Sequence, residues 1–166
     1  MDNLLFKEEF YSFARSAQDP IAGGILVSRV IDESAEEHWI KDEFERLASS
    51  FVAEKKDARG LSKYLRKLGF GGAKDYFRRE NSSLNYVLVN RRGIPISLAL
   101  VVMGVGRLLG LAIDGINYPG HFLAKVEDCL IDPFNLRVFN KKETQGPPAD
   151  QAYDVRQEDL AVASGS

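Results

Sequence analysis

The stretch Gly93–Gly106, GIPISLALVVMGVG, carries no charge over 14 consecutive positions and is ended by Arg107. A membrane-spanning helix needs about 20 apolar residues, whereas uncharged runs of about 10–14 are usually helices buried in a protein core. The segment therefore predicts a central helix enclosed by the rest of the chain. Asn90–Gly93 is a polar break before it. Pro95 suits the first helical turn, where its missing N–H leaves nothing unsatisfied.

What lies on either side differs in pattern. Before the run the apolar spacing is helical: Leu4, Leu5, Phe6, Phe10 and Phe13, then Ile21–Ile31 with the close-packing pair Gly23-Gly24. A long amphipathic segment follows, with Trp39, Ile40, Phe44, Leu47, Phe51 and Val52 on one face. Ser34 and Glu37 are spaced as a capping box at its start. Leu61–Leu68 is a further helix that Gly69 can close in a left-handed cap. Leu84–Val89 is another, begun by the Asn81-Ser82-Ser83 cap. After the run, Leu111–Ile116, Phe122–Val126 and Leu130-Ile131 are short and β-prone, with Val138-Phe139 as a last candidate strand. Residues 1–140 read as a single domain, helical over 1–92 with the core helix and strands over 93–140. Residues 141–166 read as a polar tail around Gly146-Pro147-Pro148, ending in a Ser-Gly-Ser scar or frayed end.

Composition removes several classes of function. The 166 residues carry a net charge of -2, so no basic excess points to nucleic acid or an anionic membrane as partner. Cys129 is the only cysteine and His38 and His121 the only histidines, which argues against a disulfide, a metal centre or any metal cofactor. MDNLLFKEEF has no cationic segment followed by an apolar one, so the expected compartment is the cytoplasm.

Few residues can carry chemistry. There is no phosphate loop, and Gly104, Gly106 and Gly110 sit late in an apolar helix, where packing explains them better than a dinucleotide site. His38 reads as a surface side chain. His121, in Tyr118-Pro119-Gly120-His121, stands at a loop-to-strand junction that can aim it into a cleft. Asp132 follows in Ile131-Asp132-Pro133. If the strands around 122–126 and 129–131 form a hairpin, His121 and Asp132 fall opposite each other, and the carboxylate can orient the imidazole. A structural hydrogen bond pinning the hairpin is the plainer account. Ser97, in the first turn of the central helix, can be a nucleophile or can simply satisfy free N–H groups there; spacing alone favours the second. Cys129 reads as structural. Arg91 and Arg92 can read a carboxylate beside a cleft, with Tyr118 and Tyr76 lining it, although a solvated loop and core aromatics are the ordinary alternatives.

Five motifs occur in order: Gly69–Gly71, Asn81–Asn85, Gly93–Leu98, Pro119–Phe122 and Ile131–Phe134. Together they resemble the bacterial transglutaminase-like family typified by the Sir-B invasion-regulator proteins, a domain related to one in an animal F-box-only protein. The resemblance implies an α+β fold of the papain/transglutaminase-like kind, with a helical N-terminal half and a central buried helix packed on a small antiparallel sheet. In active relatives a cysteine begins that helix, and a histidine and an aspartate follow on adjacent strands. His121 and Asp132 match the latter two. The cysteine position falls on Pro95, or on Ser97 after a two-residue shift, so thioester chemistry is not expected. Relatives often continue into helical repeats, whereas this chain ends soon after its linker, as a stand-alone or truncated domain would.

Three functions compete. The first is a transglutaminase-like domain lacking the family cysteine, a non-catalytic module binding a peptide or protein partner. The second is a hydrolase or acyltransferase using Ser97, His121 and Asp132. The third, with Cys129 as nucleophile, has least support.

Overall fold

The computed structural model describes residues 7–9, 11, 12, 15, 19–53, 55–118 and 121–140, with Tyr118 described by its backbone alone. The apolar positions Leu4, Leu5, Phe6, Phe10 and Phe13 and the tail 141–166 lie outside these residues. Among the elements whose bounds fall within the described residues, four helices precede the central one: α1 (Pro20–Ile31), α2 (Glu37–Ser49), α3 (Ala58–Lys67) and α4 (Leu84–Asn90). The central helix is α5 (Pro95–Leu108). Two-residue strands β1 (Gly71–Gly72) and β2 (Arg92–Gly93) pair in parallel, and a 3₁₀ turn spans Arg79–Ser82. The chain then forms β3 (Ile113–Tyr118), β4 (His121–Val126), β5 (Cys129–Asp132) and β6 (Arg137–Asn140), an antiparallel meander in sequence order.

The uncharged run behaves as expected. Leu98, Ala99, Val101, Val102, Met103 and Val105 are each at most 2% exposed, so α5 is enclosed on nearly all sides. Among the described residues no helix is long and apolar enough to cross a membrane. Helices α1 to α4 cover one side of α5 and the sheet covers the other. The approach of α1 depends on Gly24: a Cβ there would stand 2.6 Å from Leu100 and 2.9 Å from Leu84, too close for any real contact. Burying this much apolar surface, at about 25 cal/mol per Å², is the main force holding the layers together.

Sheet alternation sorts the strand residues into two sets. Ile113, Ala124, Val126 and Ile131 join the helical core, whereas Ile116, Leu123 and Leu130 form a second small cluster with Phe139. Both faces of the sheet thus carry buried apolar residues.

Local signals held in part. Gly69 (φ 92°) closes α3 as expected: its N–H bonds Arg66 O at 2.9 Å and that of Phe70 bonds Leu65 O at 3.1 Å, the paired bonds of a Schellman ending. The Ser34–Glu37 capping box does not form. Helix α2 begins at Glu37 with Glu36 as cap, and the Ser34 hydroxyl donates to Asp32 Oδ1 at 2.6 Å. Asp32 is only two residues away and offers a charged acceptor, so the local turn captures the hydroxyl first. The amphipathic segment also stops earlier than its spacing predicts, at Ser49. Phe51 still packs edge-on against Tyr64, while Val52 is 88% exposed.

Candidate functional site

Four of the five short motifs meet around the start of α5. Gly71 and Gly72 lie beside Arg92 and Gly93, and the Gly72 N–H bonds Phe134 O at 2.9 Å. A Cβ at Gly72 would fall inside the Phe134 ring, so only glycine lets that ring close over β1. Asn81, 2% exposed, donates its side-chain amide to Asp75 O at 2.5 Å and receives the Ser97 hydroxyl on its own carbonyl at 2.6 Å. Each of these four motifs therefore supplies one part of a joint between the helical half and the sheet.

His121 and Asp132 come together as the spacing suggested. His121 Nε2 lies 3.2 Å from Asp132 Oδ1, and both side chains are 6% exposed. They are not directly opposite, however. Ala124 pairs with Ile131, which sets Leu123 rather than His121 across from Asp132, while His121 itself pairs with Tyr118. The contact is diagonal, a geometry long side chains bridge on one sheet face. Asp132 also accepts from the Phe134 N–H at 2.9 Å and from Asn135 Nδ2 at 3.1 Å. Burial pushes the Asp132 carboxyl up. The hydrogen bond and charge of His121, then Asn135 and the Phe134 N–H, outweigh it and hold the group below the ordinary carboxylate value.

A sign follows for acid stability. Because the folded-state value is depressed, ionised Asp132 stabilises the fold at any pH above its unfolded value of about 4. That contribution is lost as pH falls through the lower folded value. Thermal melts across the acid range should show a declining limb that is shallower in Asp132→Asn.

Ser97 is 1% exposed, and its hydroxyl is fully engaged. It accepts from the Ile94 N–H at 3.1 Å, which caps the start of α5, and lies within bonding distance of the carbonyls of Asn81 (2.6 Å) and Ile94 (3.1 Å). None of its hydrogen bonds reaches His121. Gly93 is fitted to this arrangement: a Cβ there would stand 2.6 Å from Ser97 Oγ and 2.9 Å from Val87. Pro95, the other match to the cysteine position, opens the helix and offers no nucleophile. Cys129 is half-buried with its thiol donating to Asn140 Oδ1 at 3.1 Å, a structural contact.

The adjacent arginines diverge. Arg91 ends α4 in a left-handed conformation (φ 64°) and turns inward. Its guanidinium lies 4.6 Å from the Phe70 ring centre and 3.8 Å from Glu43, and its Nη1 finds no hydrogen-bond partner among the described residues. Burial pushes the Arg91 guanidinium below its ordinary value against the pull of Glu43, and it stays charged. Arg92 is exposed, with its Nη1 lying over Gly71, where a Cβ would stand 2.9 Å from it. The expectation for the Tyr118 side chain falls outside the described residues. Tyr76 is 43% exposed and packs on Phe134 with ring centres 6.2 Å apart. Sequence reasoning missed Phe134, Gly72 and Phe77 as site residues. The motif that ends in Phe134 was visible, but Gly72 and Phe77 lie in none of the five, and the pairing of two glycines with Arg92 and Gly93, twenty-one residues on, leaves no local trace.

Comparison with known proteins agrees with this architecture. The chain is 46% identical over 81 residues to a UPF0162 protein of Xylella fastidiosa, covering 45% of this chain and 29% of the relative. It is 28% identical over 133 residues to a UPF0162 protein of Vibrio cholerae, covering 75% of this chain and 49% of that one. Human F-box only protein 21 is 38% identical over 55 residues, which is 33% of this chain and 9% of the relative. The chain thus spans at most about half the length of these relatives. No solved structure matches it. The family model for the transglutaminase-like superfamily matches residues 26–164, most of the sequence, and on that match this chain belongs to the transglutaminase-like superfamily.

Proposed function

We propose that this is a non-catalytic member of the superfamily, of the Sir-B type, that binds a peptide or protein partner through the surface beside its inherited His–Asp pair. One observation carries the reading. At the start of α5, where the chemistry needs a nucleophile, Pro95 has none, and the Ser97 hydroxyl is buried and held by Asn81 and Ile94. A serine nucleophile needs its proton within reach of a base, about 2.6–3.2 Å from it. Here that proton faces a carbonyl. His121 and Asp132 remain as a buried brace between β4 and β5, tying the Asp132–Asn135 turn to the sheet.

The test has two arms. Purified protein incubated with glutaminyl, anilide and ester probes, with and without an added amine, should give no turnover above buffer. A displayed peptide library panned on the same protein should return binders. Amide hydrolysis or acyl transfer that disappears in His121→Ala, or phosphonate labelling of Ser97, would overturn the reading.

A further inference from the structure

The surface beside β1 combines a cation and unpaid aromatic area. Phe77 is 93% exposed, so nearly all of its ring is in water, a costly position for a phenyl group inside an ordered turn. Its ring packs edge-on against Tyr76 at 5.5 Å, Tyr76 leans on Phe134, and Phe134 covers Gly72. These rings form a continuous aromatic shelf leading from solvent to the Asp132–Asn135 turn. Arg92 stands at its inner end, exposed, over Gly71, and no hydrogen bond or ion pair engages its guanidinium among the described residues. The charge around the shelf is one-sided. Residues 70–93 hold five cations (Lys74, Arg78, Arg79, Arg91, Arg92) against two acids (Asp75, Glu80) in a chain whose net charge is -2. Arg91 is turned to Glu43, Arg78 lies 3.7 Å from Glu80 and Arg79 donates to Ile31 O, while Arg92 lies over Gly71, the residue before the glycine that Phe134 covers.

We infer that the Arg92–Phe77 shelf docks an acidic, aromatic- or aliphatic-bearing peptide segment of a partner protein, its carboxylate on Arg92 and its apolar side chain on Tyr76 and Phe77. This rests on the reading of the site as a binding surface and names the partner's chemistry. A guanidinium takes a carboxylate through two parallel N–H bonds, while a flat aromatic pair takes an apolar side chain without needing a deep pocket. The one-sided charge selects an acidic segment over a neutral or basic one.

Fluorescence polarisation on the full chain tests it, using labelled peptides that present Asp-Glu next to Leu-Phe and a control with Asn-Gln in place of the acids. The acidic peptide should bind, and the control should bind about tenfold more weakly, a difference of about 1.4 kcal/mol. Arg92→Gln and Phe77→Ser should each weaken the acidic peptide by a similar factor, with unchanged melting temperature, while Val52→Ser on a remote exposed site should change nothing. Added salt should reduce the acidic preference. Equal binding of both peptides, or indifference to Arg92→Gln and Phe77→Ser, overturns the inference. Library binders that map elsewhere would then still uphold the non-catalytic reading, and turnover would fail that reading instead. Two further results would also overturn the inference. Binding that appears only in a Glu158→Lys/Asp159→Lys variant makes the chain's own tail the occupant. Self-association abolished by Arg92→Gln makes it a second copy.

Discussion

Asp132→Ala should lower the unfolding free energy by about 3 kcal/mol, because each buried donor left without its acceptor costs about 1–3 kcal/mol. Two groups lose their acceptor together, the Phe134 N–H and Asn135 Nδ2, and His121 Nε2 loses the carboxylate 3.2 Å away. Phe134 and Asn135 belong to the turn that carries the Phe134 carbonyl onto Gly72. Denaturant melts at neutral pH measure the effect. Asp132→Asn separates its parts, because the amide oxygen can still accept from Phe134 while the charge facing His121 is gone. It should cost clearly less than the alanine variant. If alanine and wild type melt together, the pair is not a brace, and the case for a retained structural role fails.

Ile131→Ala, one residue earlier, should cost about 2–5 kcal/mol by a different mechanism. Ile131 is fully buried in the sheet layer that packs on α5, and its cross-strand partner is Ala124. Ala124 is already small and also fully buried, so no side chain directly across the ladder can move in to fill the cavity. The two neighbouring substitutions should differ in their pH response. The Ile131→Ala penalty should be the same at pH values where Asp132 is ionised or protonated, whereas the Asp132→Ala penalty should shrink as acid removes the charge.

Placing these residues together depends on contacts that are distant in sequence. Ser97 shows why spacing could not decide its role. A serine at the start of a helix reads identically as a nucleophile or a cap. Only the position of the Asn81 carbonyl, held by a 3₁₀ turn, directs its proton. His121 and Asp132 were legible as a pair because one hairpin links them, yet the diagonal register was not. It is set by where the 127–128 turn closes, and Glu127 there adopts φ 53°. Arg91 and Arg92 look equivalent in sequence, but the left-handed backbone at Arg91 sends one guanidinium toward Glu43 and leaves the other in solvent.

The sequence by itself determined the buried central helix, since an uncharged run of that length has no stable place at a water-facing surface. It also determined the order of helices before strands, because apolar periodicity is a local property of the chain. The five ordered motifs carried the family. Tertiary structure alone decided which polar groups are spent and which stay open. Those outcomes depend on two-residue strand pairing, on a ring closing over Gly72 and on one carbonyl meeting one hydroxyl. Such contacts join residues far apart in the chain, and their energies are settled by packing around them rather than by the identity of either partner.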